Sequence, residues 1–125
     1  MKTIMVVDDE EPIRRALYEL LDQTGYSVLD ASDGQSAMHL IQEHTVDLVI
    51  TDIMMPQRDG IELIRWIKAS RPDVKIIAVS GGGRYSALEF LTAAKLLGAH
   101  RTFTKPISPC ELLVAVQDLL STTDL

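Results

Sequence analysis

VDLVITDIMMPQRDG, running from Val46 to Gly60, is the stretch whose reading decides the fold. Val46, Leu48, Val49 and Ile50 form an apolar, largely β-branched run that ends in a single carboxylate, Asp52, before a loop closed by Pro56 and Gly60. A fully apolar run of this length, bounded by turn residues, suits a strand buried on both faces of a parallel sheet. Asp52 then stands where a central strand meets the crevice at the carboxyl edge of the sheet, which is where open α/β sheets bind ligands. Taken alone, Asp52 could equally cap the following loop, so the rest of the chain has to decide.

Outward from that stretch, strand and helix signals alternate. Thr3 to Val7 (TIMVV) is a short apolar run that breaks into Asp8, Asp9, Glu10, Glu11 and Pro12. Proline and acidic side chains suit a first helical turn, and Ile13, Ala16, Leu17, Leu20 and Leu21 follow at helical spacing until Gly25 offers a left-handed stop. Tyr26 to Ala31 reads as a second strand, and Asp33-Gly34 turns the chain into a helix bearing Ala37, Met38 and Ile41. Beyond the central strand, Ile61, Leu63, Ile64, Trp66 and Ile67 make a third helix, closed at Ser70-Arg71-Pro72. Val74 to Val79 is the fourth strand, ending in the small-residue loop Ser80-Gly81-Gly82-Gly83. Ala87, Phe90, Leu91, Ala94 and Leu97 give a fourth helix stopped by Gly98, and Arg101 to Thr104 a short fifth strand running into Lys105-Pro106. Ser108-Pro109-Cys110-Glu111 has the form of a capping box with proline at the first helical position. Leu112, Leu113, Val116, Leu119 and Leu120 supply the stripe of the fifth helix, with Ser121 to Leu125 as a frayed tail. Five strands alternating with five helices, without repeats or a linker, predict one α/β domain over residues 1–125. Right-handed crossovers make it a doubly wound, five-stranded parallel sheet in a three-layer sandwich.

Composition narrows the classes of function. Hydrophobic residues at 46% and charged residues at 24% describe a globular chain with a real core. No apolar run approaches the roughly 20 residues needed to cross a bilayer. The first residues lack a signal-peptide pattern, so a cytoplasmic location without membrane insertion is expected. The lone Cys110 forbids an internal disulfide. A net charge of −6 with scattered Lys and Arg argues against direct nucleic-acid binding.

Every strand but the second ends in a polar residue on one rim: Asp8 and Asp9, Asp52, Ser80, and Lys105. Carboxylates held that close repel one another and raise each other's pKa unless a cation sits among them. A hard divalent ion with oxygen ligands, Mg2+ above all, resolves this, and Lys105 supplies a compact charge for a phosphoryl oxygen or for Asp52. A carboxylate attacks phosphorus when a metal and a cation neutralise the phosphoryl oxygens and hold donor and acceptor in line. No histidine, cysteine or activated serine at the rim suits acyl transfer. His39, His44 and His100 fit surface or interface positions away from it, and Gly81 to Gly83 lack the Lys-Ser/Thr of a nucleotide P-loop.

The ordered set VVDDE, TDIMMPQRDG, a serine ending the fourth strand, and FTKP resembles the receiver domain of two-component response regulators from about Thr3 to the end of the fifth helix. The resemblance implies a flavodoxin-like sheet of strand order 2-1-3-4-5. It also implies that Asp52 accepts a phosphoryl group from a sensor histidine kinase or histidine phosphotransfer protein, and with no output domain in these 125 residues a stand-alone response regulator is expected. Asp8 and Asp9, with Asp52 and the Met54 carbonyl, would hold Mg2+. Lys105 would contact the phosphoryl group, and Lys105-Pro106 would be a cis peptide. Ser80 would hydrogen-bond a phosphoryl oxygen, and Phe103 would rotate inward to couple the site to a face made by the fourth helix, fifth strand and fifth helix, where a downstream effector protein docks. Such a protein is not an enzyme on other substrates; it catalyses only its own phosphotransfer and autodephosphorylation.

The sequence departs from the commonest family pattern at Gly81, where alanine is frequent, and at Phe103, which has no hydroxyl. Met54 and Gly82 occupy positions that in this family influence loss of the aspartyl phosphate. Other readings of the same residues are an acid phosphatase of the haloacid dehalogenase kind, a flavodoxin-like flavin binder, and a receiver that docks unphosphorylated. The first wants a DxD motif where Asp8-Asp9-Glu10 stands, and the second wants backbone donors where the first loop is acidic.

Overall fold

The computed structural model describes residues 1–55, 60–81 and 87–121, the side chains of residues 87–91 excepted. Pro56, Gly82, Gly83 and the tail beyond Ser121 lie outside the described residues, as does the side chain of Phe90. Ten elements follow in strict alternation: β1 (Thr3–Val7), α1 (Glu11–Thr24), β2 (Ser27–Ala31), α2 (Gly34–Glu43), β3 (Leu48–Asp52), α3 (Gly60–Ser70), β4 (Lys75–Ser80), α4 (Ala87–Leu97), β5 (Arg101–Thr104) and α5 (Pro109–Ser121). All strand pairs are parallel, in the order β2-β1-β3-β4-β5. The doubly wound α/β architecture expected from the alternation is the one observed.

The central strands are largely apolar because both their faces are covered, and their pleat deals side chains alternately to two cores. Met5 and Val7 of β1, Val49 of β3, and Ile76 and Ala78 of β4 join Ala37, Ile41, Leu63, Ile64 and Ile67 beneath α2 and α3. Ile4, Val6, Leu48, Ile50, Ile77 and Val79 point the other way, onto Leu17 and Leu21 of α1 and Leu112, Val116 and Leu119 of α5. Trp66 packs at the margin of the first core, as its place in the α3 stripe suggests. Val46 is buried but precedes β3, which starts at Leu48; every residue of that strand, Asp52 included, is buried.

Local signals end the helices where the sequence places them. Gly25 closes α1 with φ 108° and Gly98 closes α4 with φ 119°, left-handed conformations that favour glycine. Asp33 caps α2 by accepting from the Ser36 amide at 2.7 Å, and Ser108 caps α5 by accepting from the Glu111 amide at 3.4 Å. Among the described residues no helix is long and apolar enough to cross a membrane.

Candidate phosphoacceptor site

The chain leaves β1 for β2 on one side and returns to β3 on the other, so the carboxyl ends of β1 and β3 flank the switch point of the sheet. Asp8 follows β1 directly. Its amide donates to the Ala31 carbonyl at 3.1 Å, and its Oδ1 accepts from the Glu10 amide at 2.9 Å. Arg14, one turn into α1, donates through Nη1 to the Asp8 carbonyl at 2.8 Å and through Nε to Asp30 Oδ2 at 3.0 Å, pinning the turn between β1 and α1 to the end of β2.

Asp52 ends β3 with its Oδ1 accepting from the Met54 amide at 3.2 Å. The backbone around it is held from two sides. Ile53 donates to the Val79 carbonyl at 2.9 Å, and Gly60, the first residue of α3, donates to the Ile53 carbonyl at 2.8 Å. This approach is so close that a Cβ at position 60 would run into the Asp52 carbonyl oxygen, so α3 can start there only with glycine. Ser80 ends β4, buried and in register with Thr104, and its hydroxyl donates to the Gly81 carbonyl at 3.3 Å.

Lys105, just past β5, closes the arrangement. Its Nζ lies 3.0 Å from Asp8 Oδ2, 3.0 Å from Asp52 Oδ2 and 2.7 Å from Glu10 Oε1. Burial pushes the Asp52 carboxyl above its usual range, and the Lys105 ammonium offsets this only in part. Burial also pulls on Lys105, as the largest single influence, but hydrogen bonds to Glu10, Asp8 and Asp52 together override it and hold the ammonium above the ordinary lysine range. The site thus retains a charged lysine and a carboxylate that is costly to keep ionised, the condition in which added positive charge gains most.

Of the rim residues expected from the sequence, Asp8, Asp52 and Lys105 converge. Asp9 is exposed; among the described residues, the acidic group whose oxygens lie within 4.8 Å of one another is Asp8, Glu10 and Asp52. An all-oxygen, all-anionic donor set of this kind fits a hard divalent cation. Met54 is exposed and meets the site through its amide. The Lys105–Pro106 peptide is cis. Phe103 packs on the α1/α5 core beside Val79, while the pleat turns Thr102 to the opposite layer. Sequence reasoning did not single out Glu10, whose only signal was membership of an acidic run, nor Arg14, which reads as an ordinary helix-surface cation. It also gave His100 only a surface or interface position; its Nδ1 accepts from the Ile76 amide at 3.0 Å.

Known proteins agree with this geometry. Residues 4–117 match the family model for the response regulator receiver domain. The phosphate regulon transcriptional regulatory protein PhoB of Pseudomonas aeruginosa is 36% identical over 128 residues, covering 98% of this chain and 53% of that protein. The chain spans about half the length of this and other curated relatives it matches. Sporulation initiation phosphotransferase F of Bacillus subtilis is 32% identical over 117 residues, which is 94% of this chain and 92% of that protein. A solved CheY-like response regulator receiver domain protein from Methanospirillum hungatei superposes with a TM-score of 0.89 at 30% identity, covering 96% of this chain and 94% of that one. The chain belongs to the response regulator receiver domain family.

Proposed function

We propose that this receiver accepts a phosphoryl group on Asp52 from a sensor histidine kinase or a histidine phosphotransfer protein, with Mg2+, and signals through protein contacts. The observation that carries the reading is the meeting of Asp8, Glu10 and Asp52 around the Lys105 ammonium at the switch point of the sheet. Asp8, Asp9, Asp52 and the Met54 carbonyl are the ligands proposed for the ion. When bound, it would neutralise charge on the phosphoryl oxygens.

The chain's own residues supply the rest. Asp52, fixed by the Met54 amide and Lys105, presents an oxygen for in-line attack on phosphorus. Lys105 offers its ammonium to a phosphoryl oxygen, and the Ser80 hydroxyl, now donating to the Gly81 carbonyl, turns to another. Lys105 and Ser80 are linked through the backbone, the Lys105 amide donating to the Ser80 carbonyl at 2.9 Å, so movement at one is felt at the other. Phe103, two residues before Lys105 and packed at the edge of the α1/α5 core, would repack and pass the change to the α4, β5, α5 face, where we place the effector.

The stand-alone form is favoured by the likeness to the sporulation phosphotransferase, matched over 92% of its length. A cytoplasmic location and the absence of direct nucleic-acid contact follow from the same reading. Membership of the receiver family sets aside the phosphatase and flavin-binding readings of the rim.

Intact-mass spectrometry after incubation with acetyl phosphate tests the assignment. Wild type should gain one phosphoryl group in a magnesium-dependent way and Asp52→Asn none; label persisting on the variant would overturn it.

A further inference from the structure

An ammonium has three protons to donate, and Lys105 has three carboxylate partners: Asp8, Glu10 and Asp52 at 3.0, 2.7 and 3.0 Å. No donor is left over for a phosphoryl oxygen, so one partner must leave before Lys105 can serve a donor molecule. The three are not equally free to go. Asp8 and Asp52 have side chains only 4% and 5% exposed, and each is also held by a backbone amide, from Glu10 and Met54. The Glu10 side chain is 56% exposed. Its residue is the N-cap of α1, where a side chain ordinarily bonds the first-turn amides, yet it makes no such bond and reaches across to Lys105 instead.

From this we infer that Glu10 is an internal placeholder: its carboxylate occupies the Lys105 position that a phosphoryl oxygen of the donor takes, and competes with the donor for it. The inference rests on the acceptor reading of Asp52 and adds a specificity-determining residue to it. In the step concerned, an Asp52 oxygen forms the new bond to phosphorus while the phosphorus–oxygen bond of an acyl phosphate breaks, acetate leaving with the electron pair. Glu10 must swing into solvent as the anionic donor enters. Its charge thereby sets a toll that falls on anionic small donors, and a partner protein with a cation near position 10 would lift it.

Glu10→Gln keeps the shape and removes the charge. With acetyl phosphate below saturation and Mg2+ present, the variant should be labelled roughly two- to fivefold faster than wild type, the size of an exposed charge pair. The difference should shrink at high ionic strength. Mg2+ affinity measured by calorimetry should fall far less for Glu10→Gln than for Asp8→Asn, which removes a proposed ligand. Equal or slower labelling of Glu10→Gln overturns the inference and leaves the acceptor reading standing. A loss of Mg2+ affinity as large as that of Asp8→Asn also overturns it, by making Glu10 a ligand. Absence of label from both wild type and variant removes the acceptor reading and the inference with it.

Discussion

Asp52 bears the cost of its own position. Folding moves it from water into a site where burial disfavours the charged form more than Lys105 favours it, so its folded pKa lies above the unfolded one. A group raised in this way contributes stability that is fully present below its unfolded pKa, near 3.8, and is lost as the pH climbs through the folded value. At neutral pH the ionised carboxylate is therefore a net burden on the metal-free protein. Asp52→Asn, a neutral isostere, should raise the unfolding free energy at pH 7 by on the order of 1 kcal/mol. The gain should narrow as the pH is lowered toward the carboxylate range, where wild type discharges itself. Urea titrations of both proteins across that range read the difference. A variant no more stable than wild type at pH 7 would show that the Lys105 contact outweighs burial.

At the scale of elements, α3 is fixed to β3 by the contact of Gly60 with the Asp52 backbone. Gly60→Ala would push a methyl group into main-chain atoms, which cannot step aside as a side chain can. We expect a loss of roughly 1–3 kcal/mol in urea unfolding together with slower labelling, because the acceptor itself shifts. The opposite end of the sheet has its own device. His100 donates its amide to the Ile76 carbonyl at 2.7 Å and accepts the Ile76 amide on Nδ1, so an imidazole stands in for a missing carbonyl where β5 joins β4. Burial first, then Lys68 and Lys75, hold its pKa below the ordinary histidine value. The unfolded chain thus binds the proton more readily, and stability present above pH 6.5 is lost as the pH falls toward the folded pKa. His100→Asn places an amide oxygen near the position of Nδ1 without titrating. It should match wild type near pH 7.5 and exceed it near pH 5.5; parallel stability profiles would refute the role given to His100.

These same elements mark what the sequence discloses and what it hides. β1, β3 and β4 announce themselves because burial on two faces demands largely apolar runs, and the glycines that close α1 and α4 and the caps that open α2 and α5 are needed by the backbone wherever such turns occur. Asp52, Asp8 and Lys105 are equally open to reading, since each ends or follows a strand. Glu10 stayed hidden because an N-cap acid looks like any helix-start charge, and only tertiary placement brings it to a lysine 95 residues away. His100 and Gly60 act on backbone atoms of neighbouring strands, and no local pattern encodes a contact whose partner is distant main chain.

For the whole molecule, the cost at Asp52 and the acid cluster become one quantity through linkage. An ion that binds the folded rim and not the unfolded chain adds RT ln(1 + [ion]/Kd) to stability, about 2.7 kcal/mol at a hundredfold excess over Kd. Wild type should therefore gain several degrees in midpoint on titration with Mg2+, by an amount set by the logarithm of concentration. Sodium chloride at equal ionic strength should reproduce only the part due to screening of a chain with net charge −6. Asp52→Asn begins from the opposite position, more stable without the ion and with one fewer anionic ligand to bind it. The stability curves of the two proteins should then cross: the variant is ahead in chelator, and wild type is ahead once the ion is in excess. Differential scanning calorimetry over a magnesium series locates the crossing. Curves that run parallel would mean that Asp52 contributes nothing to holding the ion, and the proposed ligand set would lose its central member.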